Sequence, residues 1–385
     1  MRVFFYVQNL LGIGHIVRAL RISRALTADG FDVELVLGGR PVPGLDTGGL
    51  KVIQLAPVSA GPGGFGDLVG ADGRSLEESG KRARRNALLS AFIGAQPDIV
   101  LVESYPFGRR QMRFELEPLL AAIGSMRPPP LLVSSIRDIL QEHGKPGRSE
   151  EVVATLRRHF DHVIVHGDPA FVRLAATFPL AAAIADMTSY SGMVGPVVAT
   201  GGDVPVSRCD VVISAGGGAV GRRLLTAAIA ARPRTSLAGA RWLAVTGTHL
   251  ADRDSAAVNE LAARYGVEVA RFLPDLVSVL AGARVSISQA GYNSVADILR
   301  ARVRAVLVPF AAAGETEQSK RASLLAERGL AVHVSEADLD AEAIADAVER
   351  ALALDPSASC IDLNGAPNTA AILRRLLSER TGAEV

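Results

Sequence analysis

The stretch Cys209-Asp-Val-Val-Ile-Ser-Ala-Gly-Gly-Gly-Ala-Val-Gly-Arg-Arg-Leu-Leu-Thr-Ala-Ala-Ile-Ala-Ala231 decides the fold. A short Val/Ile run passes into a glycine-rich turn and then into an apolar helical pattern. That is the opening of a βαβ unit, in which a buried parallel strand feeds a helix through a tight loop. Similar apolar runs recur on both sides of it. Val3–Val7, Val33–Leu37, Ile99–Val102, Leu131–Ser134 and Val163–Val165 precede it; Trp242–Val245, Val267–Ala270, Val285–Ile287 and Ala305–Val308 follow. Near-continuous Val/Ile/Leu runs separated by helical patterns predict parallel strands covered on both faces. The expected fold class is therefore α/β, doubly wound, twice over.

At 385 residues the chain exceeds the usual single domain, so two domains are expected. Small residues and proline cluster over Gly192–Gly202, which predicts domains at 1–197 and 198–385, with a return of the last helix onto the first domain left open. A second region, Gly38–Gly80, is rich in Gly and Pro and reads as a binding loop with one short strand around Val52–Leu55. Lys+Arg (41) nearly balance Asp+Glu (40), so no global field points to nucleic acid. Cys209 and Cys360 make neither a disulfide framework nor a zinc site, which fits a reducing compartment. No signal-peptide pattern and no apolar run of about 18 residues is visible, so a cytoplasmic protein is expected.

Two glycine loops carry the chemistry. The first, Asn9-Leu-Leu-Gly-Ile-Gly-His15, follows the first strand and opens a helix. It fails as Gly-x-Gly-x-x-Gly because Val17 holds the third position, and the next strand ends Leu37-Gly-Gly39 without a ribose-binding acid. What remains is a helix N-terminus where Gly12 and Gly14 let another molecule approach the backbone. His15 stands in that turn, either as a helix-end histidine or as a functional group at the ligand-binding edge of the sheet. The second loop, Ser214–Arg223, does match the dinucleotide spacing at Gly216, Gly218 and Gly221, but the following strand ends Thr246-Gly-Thr248, again with no carboxylate. Nor is it a P-loop, since Arg222 and Arg223 replace Lys and Ser/Thr. Diphosphate binding by Gly216, Gly217 and Gly218, with Arg222 nearby, is the surviving chemistry; a tight-packing turn is the plain alternative.

The most specific stretch runs from Arg271-Phe-Leu-Pro-Asp-Leu276, through Ser288-Gln-Ala-Gly-Tyr-Asn-Ser-Val-Ala-Asp297 and Val308-Pro-Phe310, to Glu315-Thr-Glu-Gln318 and a helix over 320–328. It resembles the C-terminal donor-binding domain of the family 28 glycosyltransferases, typified by the peptidoglycan-precursor N-acetylglucosaminyltransferases. The likeness is strong over 211–331, modest over 3–37 and weak between. Tyr105-Pro-Phe-Gly-Arg-Arg110 has no counterpart in those enzymes and looks more like a related group of predicted bacterial glycosyltransferases. The resemblance implies a GT-B fold, two Rossmann-like domains facing a cleft, with the acceptor held by the first and a nucleoside diphosphate sugar, with UDP as the nucleotide, held by the second. It implies that Phe272 and Leu273 flank the base. Gln289, Gly291, Asn293 and Ser294 would lie beneath the diphosphate, Asp297 would hold the ribose, and Glu317 with Gln318 would read the sugar. Two departures stand out: Asp297 replaces a longer Glu, and Glu317 replaces a Gln. Spacing alone also allows Ser294-x-x-Asp297 as a capping box and the acids at 315–318 as first-turn enrichment.

Glycosyl transfer needs a base for the acceptor hydroxyl and stabilisation of the departing diphosphate. His15 is the candidate base and Glu103, just past its strand, the competitor. The resemblance implies inversion at the anomeric carbon. Asp252-Arg-Asp254 and Asp338-Leu-Asp340 both precede helical runs and read as helix-capping acids, so no catalytic metal and no cofactor beyond the nucleotide-sugar substrate is expected. The acceptor, a sugar that is lipid-linked or a small molecule, would contact Gly12, Gly14 and Arg109. Lys81-Arg-Ala-Arg-Arg85, before an apolar helix, reads either as a peripheral membrane contact or as a solvated helix end; Arg109, Arg110 and Arg113 either greet an anion or pair with Glu115 and Glu117. Alternatives are a nucleotide-sugar 2-epimerase or hydrolase of the same fold, a non-catalytic nucleotide-sugar-binding subunit, and, on the second glycine loop alone, an oxidoreductase. The oligomeric state is not encoded in any feature above.

Overall fold

Apolar runs become strands throughout the computed structural model, which describes residues 1–10, 12–42, 44–61, 64–141, 146–197, 209–217, 220–248, 250–311 and 315–382. The chain divides into two compact units, Met1–Val194 with Asn364–Val385, and Gly195–Leu363.

The N-terminal unit holds β1 (Arg2–Val7), α1 (Gly14–Ala28), β2 (Asp32–Leu37), β3 (Lys51–Gln54), β4 (Ser59–Gly61), β5 (Gly64–Val69), α2 (Glu78–Ala95), β6 (Ile99–Glu103), α3 (Arg113–Ser125), β7 (Leu131–Arg137), α4 (Arg148–His159), β8 (His162–His166) and β9 (Thr188–Tyr190). Its sheet has the order β3-β2-β1-β6-β7-β8-β9, every pair parallel. Residues Val3–Val7 and Ile99–Glu103 are buried, as expected of central strands covered by helices on both faces. Chain order reverses between β1 and β6, so the loops leaving these two strands flank a topological switch point, where open α/β sheets place their ligands.

Residues 38–80 hold more structure than their composition suggests. Besides β3 they form the antiparallel hairpin β4–β5, fixed to the loop after β1 by the Ala60 N–H to the Leu10 carbonyl at 3.1 Å. Gly61, Gly64 and Gly66 offer little β propensity, so tertiary hydrogen bonding supplies the strand here. The basic run before the apolar helix also turns partly inward. Arg84 is 1% exposed and donates to Glu115, to Gln8 and to the Gly38 and Ala56 carbonyls, so Glu115 pairs with Arg84 and not with Arg109, Arg110 or Arg113.

The second unit holds β10 (Val211–Ser214), α5 (Arg222–Ala231), β11 (Trp242–Val245), α6 (Asp252–Tyr265), β12 (Glu268–Ala270), α7 (Leu276–Ala281), β13 (Val285–Ser288), α8 (Tyr292–Ala301), β14 (Arg304–Leu307), α9 (Glu317–Glu327), β15 (Val332–His333) and α10 (Ala341–Leu352). Its parallel sheet has the order β12-β11-β10-β13-β14-β15, with the switch point between β10 and β13. The last helix, α11 (Gly365–Thr381), belongs to the N-terminal unit, the return that the sequence left open. Gly365 donates to the Met193 carbonyl at 2.9 Å, and a Cβ there would overlap the Gly192 carbonyl, so glycine is required for this close approach. Arg374 then ties α11 to α1 by pairing with Asp29 and stacking over the Phe31 ring at 4.9 Å. Among the described residues no helix is long and apolar enough to cross a membrane.

Candidate functional site

In the N-terminal unit, β1 leads into Gln8 and Asn9, and the chain turns through Gly12, in the left-handed region at φ 63°, into α1. That helix has neither a side-chain cap nor an acid in its first turn, so its N–H groups are not answered by its own side chains. His15 sits there with 17% of its side chain exposed, and its Nδ1 lies 2.7 Å from Oε1 of Glu103, which ends β6 across the switch point and is 1% exposed. The same Oε1 accepts from the Ser104 hydroxyl at 2.7 Å and from Arg18, one turn along α1 from His15. Burial opposes ionisation of Glu103, but His15, Arg18 and Arg109 outweigh it and hold its carboxyl far below the usual range. Burial is also the largest influence on His15 and pushes it down to about 4; Glu103 acts upward, Arg109 and Arg18 downward. A neutral imidazole beside an ionised carboxylate donates from Nδ1 and keeps its lone pair on Nε2. Among the described residues Nε2 has no hydrogen-bond partner.

His15 and Glu103, which compete for one role in the sequence, are therefore hydrogen-bonded to each other. Arg109 lies beside them, its side chain 11% exposed and its Nη2 3.9 Å from Glu103 Oε2. Arg110 and Arg113 instead pair with Glu151 on α4, and Arg113 also with Glu117 at 3.7 Å. At the end of β8 the sequence did not single out His166, which is fully buried between the Ser135 hydroxyl at 2.7 Å and the Ser191 hydroxyl at 2.9 Å. Burial drives this imidazole down to about 3.

The second unit repeats the arrangement around β10 and β13. Gly216 follows β10 in the left-handed region at φ 67°, and a Cβ on it would come within 3.5 Å of Gln289 Oε1 beyond β13. Gly247, at the end of β11 with φ 82°, could carry no Cβ without overlapping the Gly216 carbonyl. The loops after β10 and β13 are thus neighbours, with the β11 end packed against the first of them. Neither α5 nor α8 has a side-chain cap or a first-turn acid. Gly291 caps α8 in extended conformation; Asn293 and Ser294 occupy its half-buried first turn, and Asp297 lies one turn on, 9% exposed. Arg222 opens α5 and pairs with Asp254 at 3.4 Å. Phe272, 58% exposed, and Leu273 lie in the turn before α7, and Arg271 donates to the Thr248 carbonyl at 3.1 Å. Gly218 lies outside the described residues.

Glu317 and Gln318 both have partners within the second unit. Glu317 is 3% exposed and pairs with the buried Arg321 at 2.9 Å, which donates to the Ala290 carbonyl at 3.1 Å and lies over the Tyr292 ring at 5.6 Å. Gln318 accepts from the Phe310 N–H at 3.2 Å. Both side chains brace the loops around the site. Of the Asp-x-Asp pairs, Asp340 caps α10 by accepting from the Ala343 N–H at 2.8 Å, Asp338 accepts from Ser335, and Asp254 takes Arg222. Arg18 and Ser104 were missed in the sequence. Arg18 left a signal, an arginine at i+3 from His15 on the apolar face of a helix.

Comparisons with known proteins agree with the fold. Residues 212–359 match the glycosyltransferase family 28 C-terminal domain. The UDP-N-acetylglucosamine–N-acetylmuramyl-(pentapeptide) pyrophosphoryl-undecaprenol N-acetylglucosamine transferase of Paraburkholderia xenovorans is 29% identical over 213 residues, 54% of this chain and 53% of that protein. Its Burkholderia thailandensis counterpart is 41% identical over 86 residues, 22% of this chain and 23% of that protein. The match thus spans about half the length of the first of these relatives or less. Among solved structures, MurG of Acinetobacter baumannii superposes with TM-score 0.56 at 14% identity, over 97% of this chain and 100% of that one. The spinosyn rhamnosyltransferase SpnG complexed with thymidine diphosphate gives 0.62 at 16%, over 98% and 100%. At such identities the structures establish the fold.

Proposed function

We propose, from the premise that this chain is a family 28-type glycosyltransferase of the GT-B fold, that it moves a hexose-type sugar from a nucleoside diphosphate donor to an acceptor hydroxyl with inversion and without a metal. The observation that carries the reading is the His15–Glu103 pair at the switch point of the N-terminal sheet. His15 Nε2 takes the acceptor proton, and the freed oxygen forms its bond to the anomeric carbon. The bond from that carbon to the diphosphate oxygen breaks, and the nucleoside diphosphate leaves with the electron pair. A single displacement from the opposite face inverts the centre. Glu103 holds the imidazole in its Nδ1–H tautomer and balances the imidazolium, so it orients the base and does not replace it.

The N-terminal ends of α5 and α8, free of acids and caps, suit the negative charge that develops on the leaving diphosphate. Asp340 caps α10, Asp338 takes the Ser335 hydroxyl and Asp254 pairs with Arg222, engagements that support a metal-independent mechanism. UDP is the favoured nucleotide because the relatives matched in sequence carry it in their names, whereas SpnG was solved with thymidine diphosphate. The acceptor class is either lipid-linked, as those relatives' names state, or a small molecule, as the name of the spinosyn enzyme implies. A thermal-shift panel of UDP-, dTDP- and GDP-sugars, followed by turnover with the best binder, tests the reading. His15→Ala should lower turnover by about 100-fold or more with donor affinity kept; near-normal turnover removes His15 from the role of base.

A further inference from the structure

Arg109 takes no part in moving the proton, yet the chain goes to some length to place it. It closes the loop after β6, and both Ser104 at φ 63° and Arg109 at φ 62° adopt the left-handed conformation that non-glycine residues avoid. Strain held at two positions of one short loop marks a loop with a task. The Arg109 side chain is almost entirely enclosed, and its Nε and Nη2 have no hydrogen-bond partner. Among the described residues its one carboxylate within 4 Å is Glu103, at 3.9 Å, beyond direct hydrogen-bond reach. Glu103 Oε2, the oxygen on that side, is equally without a partner, because the other three donors all converge on Oε1. Arg137, at the end of β7, adds a like charge that Arg109 feels. Arg109 thus shares the Glu103 carboxylate with His15 and Arg18 and keeps buried donors unused.

Resting on the glycosyltransferase reading, we propose that Arg109 forms an oxyanion subsite that takes a phosphate or carboxylate carried by the acceptor near the hydroxyl that reacts. The planar guanidinium fork matches either group with two parallel hydrogen bonds. The subsite lies at the same sheet edge as His15, and the β5 hairpin strand packs against the turn over 110–112 that follows Arg109. An anion seated there also favours a positive charge on the neighbouring His15, and so strengthens the base when acceptor is bound.

The test is calorimetric titration of the full chain with inorganic phosphate and, separately, with acetate, at matched ionic strength set by sodium chloride. The variants are R109Q, R109K and S294A, each checked for an intact unfolding transition. Binding that weakens about tenfold in R109Q and less in R109K, but is kept in S294A, supports the subsite. Phosphate-only binding points to a phosphorylated acceptor and acetate-only binding to a carboxylate. Affinity unchanged in R109Q, loss in S294A alone, or no binding of either anion by the wild type overturns it. None of these readouts needs sugar transfer, so failure of the subsite is distinct from failure of the nucleotide-sugar panel.

Discussion

Replacing Glu103 by Gln separates the charge of the dyad from its geometry. Three donors, His15 Nδ1, the Ser104 hydroxyl and Arg18, meet on Glu103 Oε1, so the amide oxygen of the E103Q side chain should occupy that position and keep the imidazole in its Nδ1–H tautomer. Only the charge is lost. Unit charges about 4 Å apart interact by about 4 kcal/mol at an effective dielectric near 20. With the proton about half transferred in the transition state, the loss is about 2 kcal/mol, or roughly 30-fold in turnover. Glu103→Leu removes orientation as well and should approach the full effect of losing the base, about 100- to 10,000-fold. Both variants leave the buried Arg18 and Arg109 without their carboxylate, which costs about 3–5 kcal/mol of stability. Turnover must therefore be measured at a temperature where urea titration shows each variant folded. E103Q turnover within about threefold of wild type refutes the argument, since an imidazolium would then form without using the neighbouring charge.

Further outcomes follow from the same contacts. With His15 pushed down to about 4, kcat/KM should stay level from neutral pH to about 5 and fall only below about 4; an acid limb centred near 6.5 contradicts its burial. In stability the sign is set by His15 at about 4 and His166 at about 3. Between about 6.5 and those values the unfolded chain binds protons that the folded chain refuses, so the urea midpoint should drop as pH falls from 7 to 4, and His166→Gln should flatten that slope. Gly247→Ala, forced into the left-handed region against the Gly216 carbonyl, should weaken nucleotide-induced stabilisation; an unchanged thermal shift would place the diphosphate elsewhere. Glu317→Gln leaves Arg321 buried and unbalanced and should cost about 3–5 kcal/mol, whereas combining Glu317→Leu with Arg321→Met should recover much of it. If the double variant keeps turnover, Glu317 does not read the sugar.

Both Rossmann-like sheets are legible in the sequence because their strands are buried on two faces and so read as unbroken apolar runs. Several elements without that burial were not, although the edge strands β3 and β12 were. β9 is only half-buried, β15 is two residues long, and β4–β5 draws its strand character from hydrogen bonds to the β1 loop and not from its own glycines. The return of α11 was open in the sequence, but the contacts that fix it were not legible. It depends on one tight contact at Gly365 and on Arg374 reaching Asp29, both long-range pairings that local pattern does not encode.

The candidate site shows how topology converts separate residues into one device. His15 and Glu103 are 88 positions apart, and each alone admits an ordinary explanation: a histidine at a helix start, an acid at a strand end. The order β3-β2-β1-β6 removes that independence. Once the chain crosses back over β1, the strand that follows must lie beside it, with its C-terminal end against the first turn of α1. An acid at that end then meets the histidine of that turn, and the buried carboxylate depends on His15, Arg18 and Arg109 to stay ionised. The same reasoning run on the second sheet joins the loops after β10 and β13, as Gly216 and Gln289 confirm by their proximity. It gives no comparable account of Glu317, whose partner Arg321 sits on its own helix and whose burial comes from α9 packing toward the Ala290 carbonyl. Strand order therefore locates the groups that meet across a switch point, while those turned inward by helix packing emerge only from the three-dimensional contacts.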